Sequence, residues 1–266
     1  MLSSVAFALD RLGLRRLVAA VASYAYSGRR FTVDADRFWV NCEAGGTIVS
    51  PAIHTQSLAS IRANVLDHWC YRYTPQAGDI VFDVGAGIGE EALVMSPMVG
   101  PRGLIVSIEA QPTVFRCLER TIALSRLTNV RAIHCAVADK PGTARISDGH
   151  IASSIMSGEG SEVPQRTIDE IAADLPAIDL LRMNIEGAEK LAIHAIPWAK
   201  IHNAAISCHD FAGIPSKAEV LEVLRQQGFE VTTRAALEGM PWLRDYLYAS
   251  RVESQPGPTS DQRAVP

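Results

Sequence analysis

The chain has 266 residues, of which 48% are hydrophobic and 20% charged, and a net charge of −4. This is ordinary globular composition, long enough for a substantial core, and it argues against a general nucleic-acid binder, which carries a basic surplus against phosphates. The five cysteines, Cys42, Cys70, Cys117, Cys135 and Cys208, are odd in number and widely spaced with no Cys-x-x-Cys pair, so neither a disulfide framework nor a zinc site is indicated, and a reducing cytoplasm is the simplest compartment.

In chain order, Met1–Gly28 is the closest approach to an apolar span, but Asp10, Arg11, Arg15 and Arg16 interrupt it. No uninterrupted apolar run reaches the length a bilayer requires, and the segment lacks the early positive charge of a secretory signal. It reads as an amphipathic helix with Val5, Leu9 and Leu12 near one face. Two placements fit such a helix: packed on the main domain, or in peripheral contact with an anionic membrane surface. Phe31-Thr-Val-Asp and Phe38-Trp-Val read as short strands, and Gly45-Gly46 turns the chain into Thr47-Ile-Val. A helix is expected over 56–71. Residues 1–74 thus form an N-terminal extension.

After the turn Pro75-Gln-Ala-Gly78 the pattern changes. Continuous apolar runs of strand length alternate with helical segments. The strands are Ile80–Val84, Leu104–Ile108, Val130–Val137, Ile178–Ile185, Ala204–Cys208, the run from Phe229, and Tyr246–Ser250. The helices are Glu90–Val99, Pro112–Arg126 with proline suited to the first turn, Thr167–Ala173, Lys190–Ala195 and Ser216–Gln227. Strands apolar on both faces, alternating with helices, predict a doubly wound, Rossmann-like α/β domain with a mostly parallel sheet over 75–250. Residues 251–266, proline-containing and poor in apolar side chains, are expected to be a disordered tail.

Asp83-Val-Gly-Ala-Gly-Ile-Gly89 joins the first of these strands to its helix. Glycines at 85, 87 and 89 let main chain turn tightly and approach a ligand at the carboxyl edge of the sheet. The second strand ends at Glu109, 20 residues beyond Gly89. An acid there accepts hydrogen bonds from the ribose hydroxyls of a nucleoside cofactor. The spacing Gly-x-Gly-x-Gly differs from the Gly-x-Gly-x-x-Gly of pyrophosphate-binding loops. Asp83 would repel phosphate but suits a cationic ligand, and it serves equally as a carboxylate that only braces the loop.

These segments resemble the FkbM-type class I methyltransferases that use S-adenosylmethionine (SAM). The resemblance covers about residues 75–210. It rests on Gly78–Gly89, Ile108-Glu-Ala-Gln-Pro112, Ala136-Val-Ala-Asp-Lys140 with Gly142, Thr167-Ile-Asp-Glu170, and Asp179-Leu-Leu-Arg-Met-Asn-Ile-Glu-Gly-Ala-Glu189. It implies a seven-stranded sheet with a reversed last strand. It also implies SAM contacts at Asp83, Gly85, Ala86, Gly87, Gly89, Glu109 and Ala110, with adenine near Ala138 and Asp139, and a family preference for hydroxyl oxygens of sugars, glycolipids or polyketides. One departure stands out. The family pattern Lys-x-Asp-x-Glu-Gly is here Arg182-Met-Asn184-Ile-Glu186-Gly187, and an amide at 184 orients a hydroxyl or an amine but takes no proton.

Methyl transfer to an alcohol needs an aligned acceptor and a group to remove its proton. His209 and Asp210 follow the fifth strand and Glu186 follows the fourth. His209, which titrates in the useful range, is the candidate base. Glu186 either holds the acceptor or caps the next helix. Asn184, Glu186 and Asp210 offer oxygens to Mg²⁺, but their spacing is not diagnostic and no metal is assigned. The other six histidines receive no role. The four tryptophans fit core packing better than an acceptor pocket. The polar stretch Ser147–Pro164 fits a lid or a disordered loop. Three functions remain open at this level: an O-methyltransferase acting on a small or glycosylated hydroxyl compound, an NAD-dependent oxidoreductase, and a non-catalytic SAM-fold binding module, which Asn184 favours. Neither acceptor identity nor oligomeric state has a readable code.

Overall fold

A computed structural model describes residues 13–146, 160–208, 216–236 and 240–251. The described chain opens with helix α1 (Arg15–Ala25), an antiparallel sheet of β1 (Arg30–Val33), β2 (Trp39–Glu43) and β3 (Gly46–Ser50), and helix α2 (Leu58–His68). Then come β4 (Ile80–Val84), α3 (Glu90–Val99), β5 (Leu104–Glu109), α4 (Pro112–Ser125) and β6 (Val130–His134). A small sheet follows, built from β7 (Ala136–Val137), β8 (Gly142–Ile146) and β9 (Ser161–Arg166), and then α5 (Ile168–Ile171), β10 (Ile178–Met183) and α6 (Glu189–Ala192). The last elements are β11 (Ile201–Ser207), α7 (Lys217–Gln226), β12 (Phe229–Thr233) and β13 (Tyr246–Arg251).

The central sheet has seven strands in the order β12-β13-β11-β10-β4-β5-β6. From β11 to β6 every pairing is parallel. Only β13 runs against its neighbours β11 and β12. The fold expected from the sequence, a doubly wound, mostly parallel seven-stranded sheet with a reversed last strand, is therefore present.

Alternate residues of each strand serve opposite faces, because side chains alternate across a strand. Phe82, Val84, Val106, Ile108, Leu181, Met183, Ala204 and Ile206 face α5, α6 and α7, joining Ile168, Ile193, Val220 and Leu224. Val81, Ile105, Leu180, Ala205, Tyr246 and Tyr248 face the other way. There they meet α2 and α3 through Ile61, Val65, Ala92 and Met95, and the extension's sheet through Val40, Ile48 and Val49. Residues of the extension therefore share the core of the α/β domain. A further small cluster packs Val18, Ala19 and Ala22 of α1 on Phe31 and Trp39.

Three expectations need correction. The run Val130–Val137 is not one strand: β6 stops at His134, and Ala136–Val137 pair with β9 in the small sheet. The polar stretch ending at Pro164 is not loop throughout, since Ser161–Pro164 belong to β9 and pair with β8; residues 147–159 lie outside the described residues. β13 extends through Arg251, the first residue of the expected tail; residues 252–266 also lie outside the described residues, as do Val5, Leu9 and Leu12. All five cysteines are free thiols. Among the described residues no helix is long and apolar enough to cross a membrane.

Candidate functional site

The site forms where β4, β5 and β10 end together. Parallel strands present their carboxyl ends on one edge, and the loop after β4 must cross that edge to enter α3. Gly85 and Ala86 donate their N–H groups to Ile108 O at 2.9 and 3.0 Å, which fastens the loop to the end of β5. Gly85 lies at φ +78°, and a Cβ there would sit 1.9 Å from Asn184 O. Only glycine lets the ends of β4 and β10 approach this closely. Gly87 lies at φ +56°, and a Cβ on it would meet nothing within 4 Å. It presents bare main chain to open space. Gly89, at φ +94°, precedes the first turn of α3, where Glu90 and Glu91 sit favourably against the helix dipole.

The cavity enclosed here measures about 220 Å³. Val84–Ile88 form one wall. On the β5 and β6 side stand Ile108, Glu109, Ala110, Gln111, Val114, Cys135, Ala136, Val137 and Ile146. On the β10 side stand Arg182, Asn184, Ile185, Glu186 and Ala188, with Glu90 and Glu91 from α3. The cavity is thus mostly apolar on one side of β4 and mostly polar on the other.

Glu109 sits on the boundary. Its Oε2 accepts from Gly87 N at 2.9 Å and its Oε1 from Gln111 N at 2.8 Å. Each oxygen retains a lone pair for a further donor. Burial pushes the carboxyl up to about 7, although backbone N–H groups of Gln111, Gly87 and Ala110 pull the other way. Gln111 in turn caps α4, accepting from Val114 N at 2.8 Å.

The buried partner of the loop is Arg182, which the sequence reading treated only as a variant of the family lysine. Its Nη1 donates to Gly85 O at 2.6 Å, and its Nη2 donates to Glu91 Oε1 at 2.7 Å. The guanidinium lies 3.1 Å from Asp83 Oδ1 and stacks 4.0 Å from the centre of the Trp69 ring. One cation therefore faces two buried carboxylates. Loss of water raises both carboxyls, with Arg182 opposing, while the two acids hold Arg182 firmly protonated.

Most of the residues expected in the site are brought together. Gly85, Ala86, Gly87, Glu109, Ala110, Asn184 and Glu186 all line the cavity. Asn184 Oδ1 is buried without a hydrogen-bond partner among the described residues. Glu186 adopts φ +51°, a left-handed turn just before Gly187. Gly89 shapes the loop but stands behind the wall, against Leu118 and Thr121.

Three assignments are corrected. Asp83 is fully buried, pairs with Arg182 at 3.1 Å and does not line the cavity. The alternation of β4 turns it toward Arg182 and off the cavity wall, where it meets the loop through that guanidinium and not through backbone N–H groups. Ala138 and Asp139 lie past β7, where Ala138 N is committed to Arg166 O at 3.1 Å and Asp139 is exposed. The wall is built one to three residues earlier, by Cys135, Ala136 and Val137. His209 and Asp210 lie outside the described residues. Among the described residues no group of three His, Cys, Asp or Glu side chains is placed to hold a metal ion.

The sequence reading also passed over His54. Its Nε2 is 3.1 Å from Glu90 Oε1, at the cavity wall, and its Nδ1 is buried without a partner among the described residues. The contact joins positions 36 residues apart, and no local signal announces it.

Comparison with known proteins agrees with this geometry. The methyltransferase FkbM domain family matches residues 83–231. The 31-O-demethyl-FK506 methyltransferase FkbM of Streptomyces tacrolimicus is 25% identical over 196 residues, which are 58% of this chain and 74% of that protein. Methyltransferase 1 of Beauveria bassiana is 22% identical over 214 residues, 68% of this chain and 85% of that protein. The crystal structure of methyltransferase FkbM from Methylobacillus flagellatus superposes with a TM-score of 0.51 at 17% identity, covering 73% of this chain and 51% of that one. That likeness concerns the fold.

Proposed function

The chain belongs to the FkbM methyltransferase family, and from that premise we propose that it moves a methyl group from SAM to a hydroxyl oxygen on a small molecule, sugar or glycolipid. The observation that carries the reading is Glu109 facing the cavity beside bare main chain at Gly87. A ribose offers two adjacent hydroxyl donors, and a carboxylate with one free lone pair on each oxygen accepts both. Ile108, Val137 and Ile146 offer an apolar slot for an adenine ring. On the polar side, the unpartnered Asn184 Oδ1 suits an ammonium group, and Glu90 and Glu186 suit overall positive charge. SAM, when bound, supplies an electrophilic methyl carbon on a sulfonium.

The protein's own work is then to align the acceptor, exclude water and receive one proton. In this reading His209, which follows β11 in the sequence, takes the hydroxyl proton, and Glu186 and Asp210 hold the acceptor. Oxygen as the receiving atom draws support from the Streptomyces relative, whose name specifies an O-methylation.

Thermal melting with SAM, S-adenosylhomocysteine and NAD tests the cofactor, because a ligand of the native state raises the melting temperature. Stabilisation by the two adenosyl compounds is expected, and stabilisation by NAD alone would overturn the reading. Turnover on a panel of hydroxylated acceptors tests the reaction. His209→Ala is expected to lower that turnover by roughly a hundredfold while SAM affinity is kept. Near-normal turnover removes His209 from the role and directs attention to His54 with Glu90.

A further inference from the structure

Helix α1 uses one face to pack on the extension, and another is left uncovered among the described residues. Val18, Ala19 and Ala22 are buried against Phe31 and Trp39. Leu14, Leu17, Val21 and Tyr24 form a separate stripe, spaced three, four and three residues apart, as one helical face requires. They are 39%, 56%, 51% and 93% exposed, and they are four of the seven large apolar side chains exposed among the described residues. Gly13 and Gly28, both at positive φ, bound the segment.

The charge around this stripe is opposite to that of the whole chain. Residues 13–37 carry five arginines against two aspartates, within a chain of net charge −4. Arg16, Arg30 and Arg37 are exposed. The two aspartates, Asp34 and Asp36, both pair with Arg120 of α4. Arg15 donates to Arg37 O and lies over the Trp39 ring, which ties the helix to the β1–β2 turn.

We propose that α1 docks on the surface of an anionic lipid bilayer, with Leu14, Leu17, Val21 and Tyr24 entering the headgroup boundary and the exposed arginines meeting lipid phosphates. Apolar side chains on one helical face with arginines about it are what interfacial binding uses. A tyrosine is favoured at that depth because its ring is apolar and its hydroxyl is wet. A second copy of the chain fits less well. A stable protein interface takes about 20–30 residues a side, and the stripe offers four, the N-cap Leu14 and three residues of an 11-residue helix. A bilayer demands no complementary shape.

The test is flotation of the full chain with vesicles of phosphatidylcholine alone or mixed with phosphatidylserine. The chain is expected to float with the mixed vesicles, and to be released by salt. Leu17→Glu with Val21→Glu, and separately Arg16→Glu with Arg30→Glu, are each expected to weaken binding by roughly tenfold or more. Unchanged melting temperatures would confirm that these variants fold. Tyr24→Ser is a further variant at a side chain with almost no protein contact. Failure to float, equal binding to both vesicle types, or wild-type binding by all three variants overturns the proposal. So does a dimer that Leu17→Glu with Val21→Glu dissociates in a chain that ignores vesicles.

Discussion

A carboxylate that must accept two ribose hydroxyls works only when ionised, and burial holds Glu109 near neutrality. When protonated it becomes a donor at one oxygen and competes with a hydroxyl instead of accepting it. SAM affinity is therefore expected to rise as pH increases through about 7, and calorimetry across that range should show the rise. Glu109→Ala is expected to lower affinity by at least about tenfold, or roughly 1.4 kcal/mol. Glu109→Gln should bind weakly with no such pH dependence; a dependence identical to wild type would place the titration elsewhere. The neighbouring glycines separate fold from function. Gly85→Ala drives a Cβ into Asn184 O, so the strand ends must part, and a loss of about 3 kcal/mol or more is expected by denaturant melting. Gly87→Ala meets no obstacle. It should cost about 1–2 kcal/mol for its left-handed backbone and yet abolish SAM binding, since its methyl occupies the ligand's place. If Gly87→Ala bound SAM normally, the cavity would not be the cofactor site.

Arg182 is where the elements of the site are joined. It leaves β10, reaches the end of β4 at Gly85, pairs with Glu91 of α3 and rests on Trp69, the residue after α2. Removing one member of a buried charged group costs about 3–5 kcal/mol, because the partners stay buried and unpaired. Arg182→Ala is expected to destabilise by that order at pH 8. It should do less harm at pH 5, because both carboxyls are raised by burial and rise further without the cation, so protons relieve the unpaired charge more readily there. An equal loss at both values would mean that packing on Trp69 matters more than charge. This joint shows what the sequence conveyed at the scale of elements. Ile80–Val84 and Leu104–Glu109 announced themselves because strands buried on both faces are continuous apolar runs. Glycines 85, 87 and 89, with Glu109 at a readable distance, located the cavity. The small sheet escaped notice for the opposite reason. β8 and β9 bury only alternate residues, Ala144, Ile146 and Val163, and Pro164 argues against a strand. Its missing donor falls just beyond β7, which pairs only with Gln165 and Arg166, so the ladder tolerates it. Arg182 and His54 were silent because their meaning lies in partners distant in the chain.

For the whole molecule, the carboxyl edge of the sheet gathers buried acids. Asp83 and Glu91 share Arg182, and among the described residues no cation pairs with Glu109 or Glu189. The family match over 83–231 contains all four. Carboxyls desolvated in this way make the protein's stability depend on pH. Glu189 reports that dependence away from the cavity wall. It is 1% exposed, its Oε1 accepts from Ile185 N at 3.1 Å, and its Oε2 has no partner among the described residues. Burial pushes it from an ordinary 4.5 up to about 7. Between those values the folded state holds a proton that the unfolded chain has released, so stability falls as pH rises through the window. The group's contribution is fully present below about 4.5 and lost above about 7, with a size on the order of 3 kcal/mol. Glu189→Gln keeps the acceptor for Ile185 and removes the titration. It is expected to melt well above wild type at pH 8 and close to wild type at pH 5, while SAM binding stays unchanged. If the two proteins kept the same separation at both values, the buried carboxyl would not be what ties stability to pH.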